Sequence, residues 1–256
     1  MVLVSAYHRP TSVSEALSLL GRKGVNSALL AGGTTLNPLL TDSQDQTREA
    51  VEVIDLQSTG LSGITTEPGD DATVGVVVLG ATATLADVHA SRLVPAGLCE
   101  LARREQPSTL RTLSTVGGTV GACRPDSEFV AGLLALQATV RLQGATGASS
   151  VGLAELVASP QLLVGSVLTG VSFRSGGTME SRRTARTPMD RPIVSVVGHR
   201  ATDGTVVLAA TGIAPTPIEL LAGAELDPPS DFQGSGAYRT SLLRTNAARV
   251  AELLAN

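Results

Sequence analysis

Apolar residues recur along this chain at two spacings, one suited to strands and one to helices. Residues 2–7 form a short run that predicts a strand. Ser12-Val-Ser-Glu15 has the form of a capping box, and Val13, Ala16, Leu17 and Leu20 follow at helical spacing. Gly21 and Gly24 are placed to end that helix. A buried strand is predicted over Ser27–Ala31, running straight into Gly32-Gly33-Thr34-Thr35 and a short helical turn over Leu36–Leu40. Val51–Asp55 is a further strand. The opening of the chain thus predicts a small β–α–β–β unit.

Residues 60–72 are rich in Gly, Asp, Thr and Pro and read as a turn region, followed by an apolar strand over Val74–Leu79. Thr84 with Asp87 can cap a helix reaching Leu93, and a second helix is predicted over Pro95–Arg104. Residues 105–115 are polar, contain Pro107 and predict a loop. Val116–Cys123 carries too much glycine for a regular helix. Asp126 can cap a helix with Phe129, Val130, Leu133 and Leu134 on one face, and strands come next over Thr139–Leu142 and Leu162–Phe173. Arg174–Thr178 reads as a boundary loop. Beyond it lie strands over Ile193–His199 and Val206–Ala210, with Asp203-Gly204 as the hairpin signal between them. The last helix starts near Ala237 and buries a stripe of Tyr238, Leu242, Leu243, Ala247, Val250 and Leu254. Hairpins mixed with helices predict an α+β fold rather than a doubly wound sheet.

Composition narrows the function classes. The 256 residues are 43% hydrophobic but only 2% aromatic, so the core is aliphatic. A net charge of −4 supplies no electrostatic reason to bind nucleic acid. No segment approaches the run of about 20 apolar residues that spans a bilayer. The start lacks a basic flank and a secretion pattern, so a cytoplasmic location is expected. Cys99 and Cys123 form no metal or redox spacing and read as reduced thiols. His8, His89 and His199 are scattered, which argues against a histidine metal site. No nucleophile–base constellation is visible, so no catalytic residue is assigned.

Two glycine-rich segments are candidates for chemistry. Leu30-Ala-Gly-Gly-Thr-Thr-Leu36 lies between a strand and a helical turn. Glycines there allow close approach of an anion, and successive N–H groups and hydroxyls can hold phosphate oxygens. A tight turn with solubilising threonines explains the same residues. Thr115-Val-Gly-Gly-Thr-Val-Gly121 is the second, with Arg124-Pro-Asp-Ser-Glu128 just beyond it. Carboxylates there can bind ribose hydroxyls, or can simply stabilise the first turn of a helix. Neither segment carries the Gly-x-Gly-x-x-Gly dinucleotide fingerprint.

Taken in order, these segments resemble a known family. Leu30–Leu36 is similar to the Ala-Gly-Gly-Thr-Asp-Leu loop of the flavin subunits of molybdenum hydroxylases, which include those of carbon monoxide and xanthine dehydrogenases. Thr115–Thr119 resembles that family's Thr-Ile-Gly-Gly-Asn loop, and Pro125–Glu128 with Ala131–Leu136 resembles the family's next segment. Tyr7, Pro10 and Glu15–Leu17 near the start, and Asp227–Asp231 through Arg239 near the end, also fit. The resemblance implies two FAD-binding subdomains, about 1–57 and 58–174, and a small α+β C-terminal domain over 178–256 with a short antiparallel sheet. It implies that Ala31, Gly32, Gly33, Thr34 and Thr35 hold the FAD pyrophosphate, with Leu36 also cofactor-binding, and that Thr115, Gly117, Gly118 and Thr119 form a second wall. Glu128 matches an acidic position near the adenosine ribose, and Asp190 a position near the flavin end. Thr35 and Thr119 depart from the Asp or Gln and the Asn of many relatives, yet each keeps a hydroxyl. With so few aromatics, aliphatic side chains would cover the flavin.

The implied role is electron transfer. A large molybdopterin subunit would hydroxylate the substrate, a small subunit with 2Fe–2S clusters would relay electrons, and FAD on this chain would pass them to a terminal acceptor. The segment from Arg182 to Arg191 can contact a partner subunit or the flavin edge, or be a solvated basic strand. Two other roles stay open: a stand-alone flavin oxidoreductase, and an assembly subunit that has lost FAD.

Overall fold

A computed structural model describes residues 4–41, 50–69 and 75–255. Residues 2, 3 and 74, which the strand expectations include, lie outside them. The first unit consists of β1 (Val4–His8), α1 (Val13–Leu20), β2 (Ser27–Leu30), α2 (Leu36–Thr41) and β3 (Val51–Asp55). Helix α1 starts as expected, with the Ser12 hydroxyl accepting from the Glu15 N–H and the Glu15 carboxylate accepting from the Thr11 N–H at 2.8 Å. A helical crossover links each strand to the next, so the three strands run parallel in the order β1-β3-β2. A β–α–β–α–β sheet therefore replaces the expected β–α–β–β unit.

The second unit is built on a five-stranded antiparallel sheet, ordered β4-β5-β8-β6-β7. Its strands are β4 (Ile64–Glu67), β5 (Val76–Gly80), β6 (Thr139–Gly144), β7 (Gly147–Gly152) and β8 (Ser166–Arg174). The turn region expected over residues 60–72 contains β4, a polar edge strand whose Thr65, Thr66 and Glu67 face solvent. Polar edge strands lack the apolar alternation that marks half-buried ones, and β7 (GASSVG) escapes the pattern for the same reason. The strand expected from Leu162 begins only at Ser166, because Pro160–Leu163 form a 3-10 turn.

The helices of this unit are α3 (Leu85–Ala90), α4 (Ala96–Glu105), α5 (Ser108–Arg111), α6 (Val116–Ala122), α7 (Glu128–Ala135) and α8 (Leu153–Ala158). Helix α3 has a full capping box between Thr84 and Asp87 but stops at Ala90, short of Leu93. Within the loop expected over 105–115, α5 makes a single turn directly after Pro107. Helix α7 is capped by Ser127 and not by Asp126. Asp126 pairs instead with Arg124 and Arg191, each at 3.2 Å.

The C-terminal part contributes β9 (Thr178–Thr184), β10 (Val194–Arg200), β11 (Val206–Thr211), β12 (Ile218–Glu219) and α9 (Gly236–Ala255). Its antiparallel sheet has the order β12-β11-β10-β9. The β10–β11 hairpin closes over Asp203-Gly204, with Gly204 at φ +87°. Strand β9 is an addition to the expected set: its Arg182 and Arg183 mask it in the pattern. The buried stripe of α9 follows the expectation at Leu242, Leu243, Ala247, Val250 and Leu254 and departs from it at its start. Tyr238 is 46% exposed, whereas Arg239, Asn246, Val250 and Leu254 are buried. Arg239 is accommodated because its guanidinium donates to the carbonyls of Ile193 and Gly212 and to the Asp231 carboxylate. Every residue of α7 is buried, since it packs on α4 and on β10 and β11. Among the described residues, no helix is long and apolar enough to cross a membrane. Cys99 and Cys123 are free thiols, and burial pushes Cys123 up to about 11.

Candidate functional site

A cleft with a volume of about 360 Å³ opens between the first two units. One side is the segment from Ala31 to Leu36, which connects β2 to α2. Gly33 lies at φ +70°, a conformation that favours glycine, and its carbonyl accepts from the Asn37 N–H at 2.9 Å. The Gln57 side chain fixes the entry to this loop by donating to the Ala31 carbonyl at 2.9 Å. Gln57 is itself held, because its N–H donates to Asp55, which also accepts from the Tyr7 hydroxyl at 2.6 Å. The N–H groups of Gly33, Thr34 and Thr35 have no protein acceptor among the described residues. Three successive unpartnered amides in a glycine-bearing turn form a cradle for an anion.

The opposite side is α6. Its first amides are already engaged: Val116 donates to the Ala83 carbonyl, Gly117 to the Ala81 carbonyl at 2.8 Å, and Gly118 to the Thr115 hydroxyl at 3.1 Å. These bonds explain how a segment with three glycines becomes a helix, contrary to the sequence expectation. Each glycine costs helix stability, and fixed tertiary acceptors offset it. The helix end is therefore not an anion cradle. It offers a floor of small residues, Gly117, Gly118, Gly121 and Ala122, to the cleft. A Cβ at Gly121 would meet nothing within 4 Å, so the space above it is open.

The two sides are fastened together. A Cβ on Gly32 would fall on the Leu113 carbonyl, so only glycine permits this approach of the backbones. The Ser114 hydroxyl donates to that of Thr34 at 3.1 Å. The remaining walls are aliphatic, from Leu29, Leu56, Leu163 and Leu168, and the lining contains no aromatic residue. Thr82 also lines the cleft, with a buried hydroxyl that has no partner among the described residues.

The cleft collects Ala31, Gly32, Gly33, Thr34, Thr35, Leu36, Thr115, Gly117 and Gly118 from the sequence-based set. Thr119, Glu128 and Asp190 lie outside it. The Thr119 hydroxyl turns back onto the Thr115 carbonyl at 2.8 Å. Glu128 is 2% exposed, accepts from the Ser195 hydroxyl at 2.8 Å and faces Arg104 and Arg183. Its position thus joins the second unit to the C-terminal sheet and does not reach the cleft. Asp190 lines a second cleft with Arg103, Arg104, Arg183, Arg186 and Arg191, which shares no lining residue with the first. The guanidiniums there meet carboxylates of the same chain: Arg103 and Arg104 on Glu100, Arg183 on Glu128, Arg186 on Asp190, Arg191 on Glu105 and Asp126. The basic segment is stitched into the seam between the second unit and the C-terminal sheet. Thr82, Ala122 and the leucine walls escape the sequence reading, and Gly121, the last residue of the second glycine-rich segment, is missing from the implied site set. Gly117 and Gly121 are four apart, so reading the segment as a helix would have put both on one face.

Known proteins resemble this chain in sequence and in fold. Residues 3–173 match the family model described as the FAD binding domain in molybdopterin dehydrogenase. The carbon monoxide dehydrogenase medium chain of Hydrogenophaga pseudoflava is 31% identical over 148 residues, which is 57% of this chain and 49% of that one. The medium chain from Afipia carboxidovorans is 25% identical, covering 96% of this chain and 95% of its own length. A solved structure of carbon monoxide dehydrogenase from Hydrogenophaga pseudoflava superposes with a TM-score of 0.84 at 23% identity, over 98% of this chain and 97% of that one, a likeness of fold.

Proposed function

The chain belongs to the family of FAD-binding domains in molybdopterin dehydrogenases, and from that premise we propose that it holds FAD in the cleft between its first two units and serves as an electron-transfer subunit. The observation that carries this reading is the row of unpartnered amides at Gly33, Thr34 and Thr35, sharing one cleft with the small-residue floor of α6. The amides suit the oxygens of a pyrophosphate. Gly117, Gly118 and Gly121 let an extended ligand approach the helix backbone, and the leucine walls exclude water from its apolar part. Thr119, Glu128 and Asp190 act from outside the cleft, by holding α6 and the junction with the C-terminal sheet. FAD, when bound, supplies the redox chemistry. The chain's own part is to bind, orient and shield it.

The working unit in this proposal has two further subunits, a small one with 2Fe–2S clusters and a large one with molybdopterin, where the organic substrate is hydroxylated. Electrons leave for a terminal acceptor from this chain. The proposal places the chain in the cytoplasm, where its two cysteines would stay reduced. The test is to purify the chain with whatever copurifies, release any flavin by denaturation, and identify it by chromatography. FAD near one per chain, with iron and molybdenum in the copurifying subunits, is the expected result. A protein that holds no flavin even after incubation with FAD would overturn the proposal.

A further inference from the structure

Five buried side-chain polar atoms lack a hydrogen-bond partner among the described residues: Ser27 Oγ, Thr82 Oγ1, Arg183 Nε, Thr211 Oγ1 and Arg239 Nε. Only Thr82 belongs to the lining of the cleft between the first two units. Its residue is 8% exposed. Two other hydroxyls of that lining have local uses, since Thr34 accepts from Ser114 and Thr115 caps α6. Thr84, two residues on, is consumed in the capping box of α3.

The orphan is not the product of a loose loop. The Thr82 N–H donates to the Leu61 carbonyl at 3.0 Å, and the Ala81 N–H to the Thr169 carbonyl at 3.0 Å. The carbonyls of Ala81 and Ala83 accept from Gly117 and Val116. The backbone on both sides is pinned where β5, β8 and α6 converge. Ala81 and Ala83 are themselves buried and apolar. For folding alone, valine at position 82 would have the same shape without the cost of an unsatisfied hydroxyl. One rotamer step about χ1 exchanges the hydroxyl with the methyl group, in a residue that lines the cleft.

We propose that Thr82 is a ligand-binding residue whose hydroxyl donates a hydrogen bond to an oxygen of the bound FAD, the partner that the protein's own groups do not supply. This rests on the FAD reading of the cleft. The experiment compares the wild type with Thr82→Val, Thr82→Ala and Thr82→Ser, measuring the FAD dissociation constant by calorimetry and the melting temperature of flavin-free protein. Thr82→Val should weaken FAD binding about tenfold and raise the melting temperature of the flavin-free protein by about 2 °C. Thr82→Ala should weaken FAD binding in the same direction, and Thr82→Ser should stay within a few fold of wild type. Valine and alanine variants that bind FAD as tightly as wild type would overturn the proposal. Should valine fail to fold, the alanine variant decides it alone. A wild type that binds no FAD defeats the reading of the cleft and not the choice of residue.

Discussion

Burial pushes the Glu105 carboxyl up to about 7, against the pull of the Arg191 guanidinium and the Phe129 N–H, with Asp126 adding to the rise. The residue is 4% exposed and sits at the end of α4, facing the start of α7 and the segment before β10. Because the folded value lies above the ordinary 4.5, the native state holds a proton that the unfolded chain has released. The stability that this proton represents is complete below pH 4.5 and is lost as the pH rises through about 7. A rise of this size corresponds to about 3 kcal/mol. We expect the melting temperature to fall between pH 5 and pH 7.5, and Glu105→Gln, which keeps an acceptor for the Phe129 N–H, to flatten that fall. Equal slopes in the two proteins would show that other groups set the pH dependence. Nothing in the sequence marks Glu105: it stands in a polar stretch beside two arginines, and only the packing of α7 over it takes it out of water.

Helix α6 is the element on which sequence and structure diverge most usefully. Glycines at 117, 118 and 121 contradict a helix by propensity, and the acceptors that rescue it, Ala81 and Ala83, lie more than thirty residues earlier. Such long-range compensation leaves no local trace. The loop at Gly32 was legible because strand, glycines and threonines adjoin one another directly. The edge strands β4, β7 and β9 were not, since polar faces carry no alternation. The two kinds of glycine at the site make opposite tests. Gly121→Ala adds a methyl group into open space and should stabilise the flavin-free protein by about 0.5–1 kcal/mol, while weakening FAD binding because that space is the cleft. Gly32→Ala drives a methyl group onto the Leu113 carbonyl and should destabilise the protein by about 1–3 kcal/mol as well as impair FAD binding. Thermal melts and FAD titrations of both variants separate the two effects. A Gly121→Ala protein with unchanged FAD affinity would remove α6 from the binding surface.

At the scale of the whole molecule, the α+β class was legible, and the boundary expected near residues 174–178 falls between the end of β8 at Arg174 and the start of β9 at Thr178. We propose that this boundary separates regions of the sequence without separating two folding units. Helix α7 is apolar on all sides because it is covered twice, by α4 on one side and by the C-terminal sheet on the other. Val197 and Ala209 of that sheet belong to the main core together with Phe129, Leu133 and Leu134. Ion pairs run the same way, from Glu105, Asp126 and Glu128 to Arg183 and Arg191. A fragment ending at residue 176 would expose one side of α7, at a cost of about 1.5–3 kcal/mol for each large side chain uncovered. It would also strip Glu128 of Ser195 and Arg183, leaving Arg104 as its charged neighbour. The fragment should therefore melt without a sharp transition and fail to retain FAD, although it contains every residue that lines the cleft. Calorimetry and flavin retention on the fragment decide the matter. A cooperative melt with bound FAD would make the C-terminal region an independent attachment. Failure of both would show that the C-terminal sheet supports the cofactor site from outside, through the packing of α7, without lining it.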